Sequence, residues 1–358
     1  VASISSVNPA YVTIGFRAYV MGGALILIAG TARPIKKINK YMVMISIFLV
    51  MYGVRLVIDS SNFDFGMTTE VLYLKFVAFV LVPFFTLSLV KLKPDIEWPS
   101  FYILFLIILS SFISLLSSPD TTQLSGNDIL NPTTLGFYAG YLIITIVYIL
   151  NSQRVSSSVR LFLIFSLSLS FIVLGASLSR ASMIGLLGVG LLEFFSMRRR
   201  PVFWPLIFLV VFVISSYFFV SAFDSLSIAR LTIDTGASGG DGEVRVFLWL
   251  AAIENIIQNP ILGSHVTTSF GYVHSVYLEA IMATGLVGAI LLITPLWVFG
   301  ARFVRSRKAG FNVPIIHYYC IFTILTVMFS GTVYTSSFLF ALLPVVFNYG
   351  QRLDAKSL

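Results

Sequence analysis

Residues 133–150 read TTLGFYAGYLIITIVYIL, eighteen consecutive positions without one charged side chain. A helix of that length rises about 27 Å, close to the ~30 Å of hydrocarbon in a bilayer. Residues 161–176, LFLIFSLSLSFIVLGA, have the same character. Working outward in both directions, further apolar runs occupy Val12–Thr31, Tyr41–Ile58, Leu72–Val90, Trp98–Leu116, Met183–Phe195, Val202–Val220, Val276–Phe303, Pro314–Gly331 and Ser336–Phe347. Each run is apolar on all sides, which suits a helix in lipid better than one facing water. The composition agrees. Of 358 residues, 58% are hydrophobic and 11% charged, against about 25% charged in soluble domains, and the mean hydropathy is +0.95. The expected fold is all-α: a polytopic transmembrane helical bundle of about eleven spans, forming a single integral membrane domain over residues 1–358. The lone cysteine, Cys320, excludes an internal disulfide and a thiolate metal cluster.

The cations set the orientation. Alternate connectors carry Arg33, Lys36, Lys37 and Lys40; Lys91 and Lys93; Arg154 and Arg160; Arg198, Arg199 and Arg200; and Arg302, Arg305, Arg307 and Lys308, with Arg352 and Lys356 in the tail. These seventeen of the 23 Lys and Arg fall on one side, which the positive-inside rule makes cytoplasmic. The net charge of +8 is therefore topogenic, and nucleic acid is not an expected partner. Counting spans puts Val1 outside, and a further span ahead of it would bring the total to twelve. Residues 221–273 form the one outer connector with room for structure of its own. Within it Asp241 can cap a helix over Glu243–Gln258, stopped by Asn259-Pro260. Val244, Phe247, Leu248, Leu250, Ile253, Ile256 and Ile257 make that helix apolar enough to lie in the membrane interface.

Six cations remain: Arg17, Arg55, Lys75, Arg180, Arg230 and Arg245. All fall on the outer side or in the outer part of a span, where they oppose the orientation signal and a charge is costly. Snorkelling to the interface accounts for Arg17, Arg55 and Lys75 as well as function does. Arg180 sits in the tight turn Ser177-Leu178-Ser179-Arg180-Ala181-Ser182, and Arg245 lies one helical turn before Trp249; for these two, function is the better account. Outward guanidinium groups at a membrane surface complement a lipid-linked phosphate or pyrophosphate, whose oxygens their planar forks bind in pairs. Two histidines share this side, His265 and His274, whereas His317 opens a span on the cytoplasmic side. No histidine pair or acidic triplet has metal-ligand spacing.

The stretch Arg245-x3-Trp249-x10-Pro260-x2-Gly263, followed by His274-Ser275-x9-Gly285-x2-Gly288, resembles the signature region of bacterial O-antigen ligases and of O-antigen and exopolysaccharide polymerases. The turn at Arg180 resembles the upstream element of that superfamily. Two departures stand out: the residue after the histidine is often Asn where this chain has Ser275, and the outer loop is shorter than in many ligases. The resemblance implies a GT-C-like glycosyltransferase of the bacterial inner membrane with its active site facing the periplasm. It implies no cofactor and no metal. The implied partners are an undecaprenyl-pyrophosphate-linked oligosaccharide, the lipid bilayer and a chain-length regulator.

In that setting Arg180 and Arg245 would stabilise the departing pyrophosphate, with Arg230, Arg17, Arg55 and Lys75 as further phosphate or glycan ligands. His274 would orient the acceptor hydroxyl or take its proton. Glu279 either orients His274 or is structural, and Trp249 either stacks on a sugar or anchors at the interface. A polymerase is the first expectation. A ligase transferring the glycan to lipid A-core shares donor, leaving group and motifs. A flippase for the same lipid-linked glycan is the rival from another class, opposed by the absence of an internal repeat and by the one-sided placement of the six cations.

Overall fold

The computed structural model describes residues 33–34, 39–59, 69–91, 96–117, 132–177, 179–196, 241–268 and 270–356. The expected spans Val12–Thr31 and Val202–Val220 lie outside these residues. The rest is almost wholly helical: α1 (Lys40–Ile58), α2 (Thr69–Phe76), α3 (Val82–Ser88), α4 (Glu97–Ser117), α5 (Pro132–Ser152), α6 (Ser157–Ala176), α7 (Arg180–Ser196), α8 (Asp241–Gln258), α9 (Val276–Lys308), α10 (Ile315–Thr326) and α11 (Ser337–Lys356). Among the described residues four helices, Lys40–Ile58, Thr133–Ser152, Ser157–Ala176 and Val276–Lys308, are long and apolar enough to cross a membrane. A π-helical turn, Val77–Leu81, joins α2 to α3. It lies just ahead of Pro83, which has no N–H to give and would crowd a regular preceding turn.

The described residues gather into two compact units, each made of separate chain segments. The first comprises Val1–Lys93, Ala252–Val298 and Gly331–Leu358, the second Pro94–Ala251 and Phe299–Ser330. In the first unit, α1 is apolar on both faces for two different reasons. Val43, Ile47, Val50, Val54 and Val57 form an exposed stripe at helical spacing, while Met42, Ile45, Phe48, Leu49, Tyr52 and Leu56 are buried. The first face is one that suits lipid, and the second packs against protein. The backbone of Arg33–Pro34 (β1) pairs antiparallel with Val90–Lys91 (β2), so two basic connectors meet at one end of this unit, as the alternating charge pattern requires.

In the second unit α5 is the central helix, buried from Tyr141 to Val147. Its Gly136-x3-Gly140 motif is an approach surface of the kind small residues give membrane helices. A Cβ on Gly140 would meet the Phe322 ring of α10 at 2.3 Å, and one on Gly136 would meet Ser179 at 2.3 Å. Hydroxyl contacts then join α5 to α10: Tyr141 with Thr323 at 2.6 Å and Thr145 with Tyr319 at 2.5 Å. At the basic end of the unit, the buried Glu193 of α7 takes two hydrogen bonds from Arg307 of α9, through Nε at 3.0 Å and through Nη2, and a third from Tyr318 at 3.2 Å.

Candidate active site

The first unit builds a site around a broken helix. Within α9, Gly285 adopts φ 63°, ψ −163°, which interrupts the helical hydrogen-bond ladder. The segment just after α8 repairs the gap. Ser264 N–H donates to Met282 O at 2.9 Å, while Leu286 N–H and Val287 N–H donate to Pro260 O at 2.8 Å and Ile261 O at 3.3 Å. Two backbones this close exclude side chains at the contact. A Cβ on Gly263 would stand 2.5 Å from Met282 O, and one on Gly285 would stand 2.2 Å from Ile261 O. Both glycines have positive φ as well, 69° and 63°. The spacing of Pro260-x2-Gly263 and Gly285 thus records a loop docked backbone-to-backbone on an opened helix.

Helix α1 braces this loop with three side chains on one face, Tyr52, Arg55 and Asp59. Arg55 donates from Nε to Ala283 O at 3.1 Å and from Nη2 to Leu262 O at 3.2 Å and Gly263 O at 3.1 Å. Its charge serves one carbonyl beside the helix break and two on the docked loop. Tyr52 O–H donates to Glu279 Oε1, which also accepts Val333 N–H at 3.1 Å. Glu279 is fully buried, and its Oε2 has no hydrogen-bond partner among the described residues. These bonds tie Glu279 to α1 and to the turn at Val333. Tyr334 packs in the neighbouring turn, where burial first, and the Glu279 carboxyl second, push its hydroxyl far above the usual phenol range. Asp59 is buried just past α1, accepting Val266 N–H at 2.7 Å and holding His265 Nδ1 at 2.9 Å.

His274 stands at φ 53°, the one non-glycine residue at positive φ among those described. Such a conformation costs about 1–3 kcal/mol and is found where surrounding structure enforces it, often at functional sites. The ring sits edge-on to Tyr272, centroids 5.8 Å apart, and Tyr272 in turn is 6.3 Å from Tyr334. Ser275 then caps α9, its hydroxyl accepting Leu278 N–H at 3.5 Å. Asn and Ser cap about equally well, so Ser275 in place of the commoner Asn keeps the local geometry.

The second unit holds the other candidate element. In the turn between α6 and α7, Ser177, Ser179, Ala181 and Ser182 are all buried, and Ser179 bonds Ser182 at 2.8 Å. Small residues let this turn pack against Gly136, while Arg180, the first residue of α7, is exposed. Lys75 near the end of α2 and Trp249 on α8 are half-buried. Arg245 lies on α8, a helix that begins at Asp241, two residues before the expected start. The Arg245 side chain, and Arg17 and Arg230 entirely, lie outside the described residues. Tyr52 and Asp59 are the site residues that sequence reasoning missed. The available signal was a carboxylate four positions after an arginine at the outer end of a span.

The O-antigen ligase family model matches residues 165–293, which include the Arg180 turn, α8, the braced loop and His274. This match supports the O-antigen ligase/polymerase superfamily. Members of this superfamily are glycosyltransferase-like membrane enzymes acting on lipid-linked glycans. No curated protein and no solved structure matches the chain.

Proposed function

We propose that this protein is a polysaccharide polymerase of the bacterial inner membrane, working at its periplasmic face. The growing glycan on undecaprenyl pyrophosphate is the donor, and a hydroxyl of the next lipid-linked repeat unit is the acceptor. The acceptor oxygen attacks the anomeric carbon, and undecaprenyl pyrophosphate departs with the electron pair of the broken bond. The leaving group is already good. What remains is to stabilise charge on its bridging oxygen, a task for preorganised cations. Arg180 and Arg245 take that role without a metal, with Arg230 assisting. His274 orients the acceptor hydroxyl or takes its proton. Arg55 is reserved for the loop.

The observation that carries this reading is the family match over residues 165–293, which contains both the exposed Arg180 turn and the loop that presents His274. The family description itself favours a second reading, a ligase that transfers the finished glycan to lipid A-core. The short outer loop inclines the choice to the polymerase. Deleting the gene and resolving the cell's lipopolysaccharide on a gel separates the two. A polymerase loses the ladder and retains a single repeat unit on the core, whereas a ligase loses all O-antigen from the core.

A further inference from the structure

Asp59 and His265 are 206 positions apart in sequence, yet the Asp59 carboxylate holds the His265 ring at 2.9 Å. The carboxylate is buried, and its two oxygens divide the work: Oδ2 accepts Val266 N–H at 2.7 Å, fixing the backbone, and Oδ1 lies 2.9 Å from His265 Nδ1, fixing the ring. The His265 side chain is nevertheless 46% exposed. With Nδ1 tied to Asp59, Nε2 is the ring nitrogen left to meet a ligand. A buried carboxylate on one nitrogen of an accessible imidazole holds the ring in one tautomer and offsets the charge it gains on protonation.

The loop also sets the two outer histidines at equal sequence distance from a tight reversal. Thr268 and Gly271 exchange backbone hydrogen bonds at 3.0 and 3.2 Å, closing a tight reversal. His265 lies three residues before that bridge and His274 three residues after it. Val266 and Val273, the next residues inward on each arm, are both fully buried. The reversal is thus anchored in the core, with one histidine at the same distance along each arm.

We propose that His265 is a second acid–base residue of this site, the one that takes the acceptor's proton, and that Asp59 is its positioning residue. This rests on the glycosyl-transfer reading above and divides the labour between the histidines. His274 orients the acceptor hydroxyl. As the acceptor oxygen bonds to the anomeric carbon, its proton passes to His265 Nε2, and the bond to pyrophosphate breaks with its electron pair staying on the phosphate oxygen. The imidazolium is balanced by Asp59 and returns its proton to water.

The test uses full-length protein reconstituted in liposomes with undecaprenyl-pyrophosphate-linked repeat units. His265→Ala, a change at a half-exposed ring, is expected to slow elongation ~10²–10⁴-fold, the usual loss when an acid–base group is removed. Added imidazole should restore part of the rate, which it cannot do for a residue that only pins the loop. Asp59→Asn keeps an acceptor for Val266 N–H but loses the charge, so it should lower kcat while leaving the KM for the donor within a few-fold. Wild-type protein that transfers no glycan overturns the transfer reading and this inference together. Wild-type transfer with His265→Ala at the wild-type rate, or slowed but indifferent to imidazole, overturns this inference alone.

Discussion

The loop braced by α1 and the turn that carries Arg180 are built on opposite plans. In the first, an arginine is drawn inward: Arg55 reaches three backbone carbonyls, two on the loop and one beside the break in α9. In the second, the small residues go inward and the arginine is left out: Ser177, Ser179, Ala181 and Ser182 are buried while Arg180 is exposed. Arg55 lies in the last turn of α1 and Arg180 is the first residue of α7. Their neighbours decide their tasks. An opened helix next to Arg55 presents carbonyls that need donors, and a guanidinium with five N–H groups in a fixed fork can answer several at once. In the turn, Ser179 bonds Ser182 and the small residues fill the interior, which leaves the Arg180 side chain on the surface.

The comparison is sharpest against an arginine with no part in the site. Arg307 donates to the buried Glu193 and, through Nη1, to Phe311 O at 3.1 Å. Arg307→Ala leaves that carboxylate buried with Tyr318 as its remaining hydrogen-bond partner. Breaking a buried pair from one side costs about 3–5 kcal/mol, so this variant should show the largest loss of thermal stability and of protein in the membrane. Activity per folded molecule should hold. Arg180→Lys should do the reverse, lowering the elongation rate ~10²–10³-fold with the melting temperature unchanged. A lower melting temperature with full activity would place Arg180 in the same class as Arg55.

Arg55→Lys comes next. One ammonium cannot span three carbonyls that a fork reaches, and each hydrogen bond from a charged donor contributes about 1.5–3 kcal/mol. The expected result is faster proteolysis of the loop around Leu262 and a modest fall in rate, with donor affinity held. A selective loss of donor affinity would return Arg55 to the pyrophosphate site. Lys75→Ala should have the smallest effect, with elongation milder in its loss than for any of these at equal protein levels.

Much of the helical framework was legible because it depends on local composition. Tyr41–Ile58 was expected and Lys40–Ile58 is found; Leu161–Ala176 was expected and Ser157–Ala176 is found. The helix of the outer loop ends at Gln258, where Asn259-Pro260 stops it. The β1–β2 pair, the π-helical turn before Pro83 and the break at Gly285 were not legible, since each is fixed by a neighbouring backbone or by a proline's effect on the turn before it. The same holds for the site. Arg180 and His274 stood out because charge in an outer turn and a histidine at a span boundary are local anomalies. The use of Arg55 was hidden, because its partners Leu262, Gly263 and Ala283 lie more than 200 positions away. Asp59 stands just past a span in the sequence, and only the folded chain joins it to His265.

The most direct measurement of the central claim is chain elongation by purified protein in liposomes supplied only with undecaprenyl-pyrophosphate-linked repeat units and EDTA. The account predicts a ladder of longer lipid-linked glycans with release of undecaprenyl pyrophosphate, abolished by Arg180→Lys. No ladder until lipid A-core is added, elongation that needs a divalent metal, or a full ladder from Arg180→Lys would contradict it.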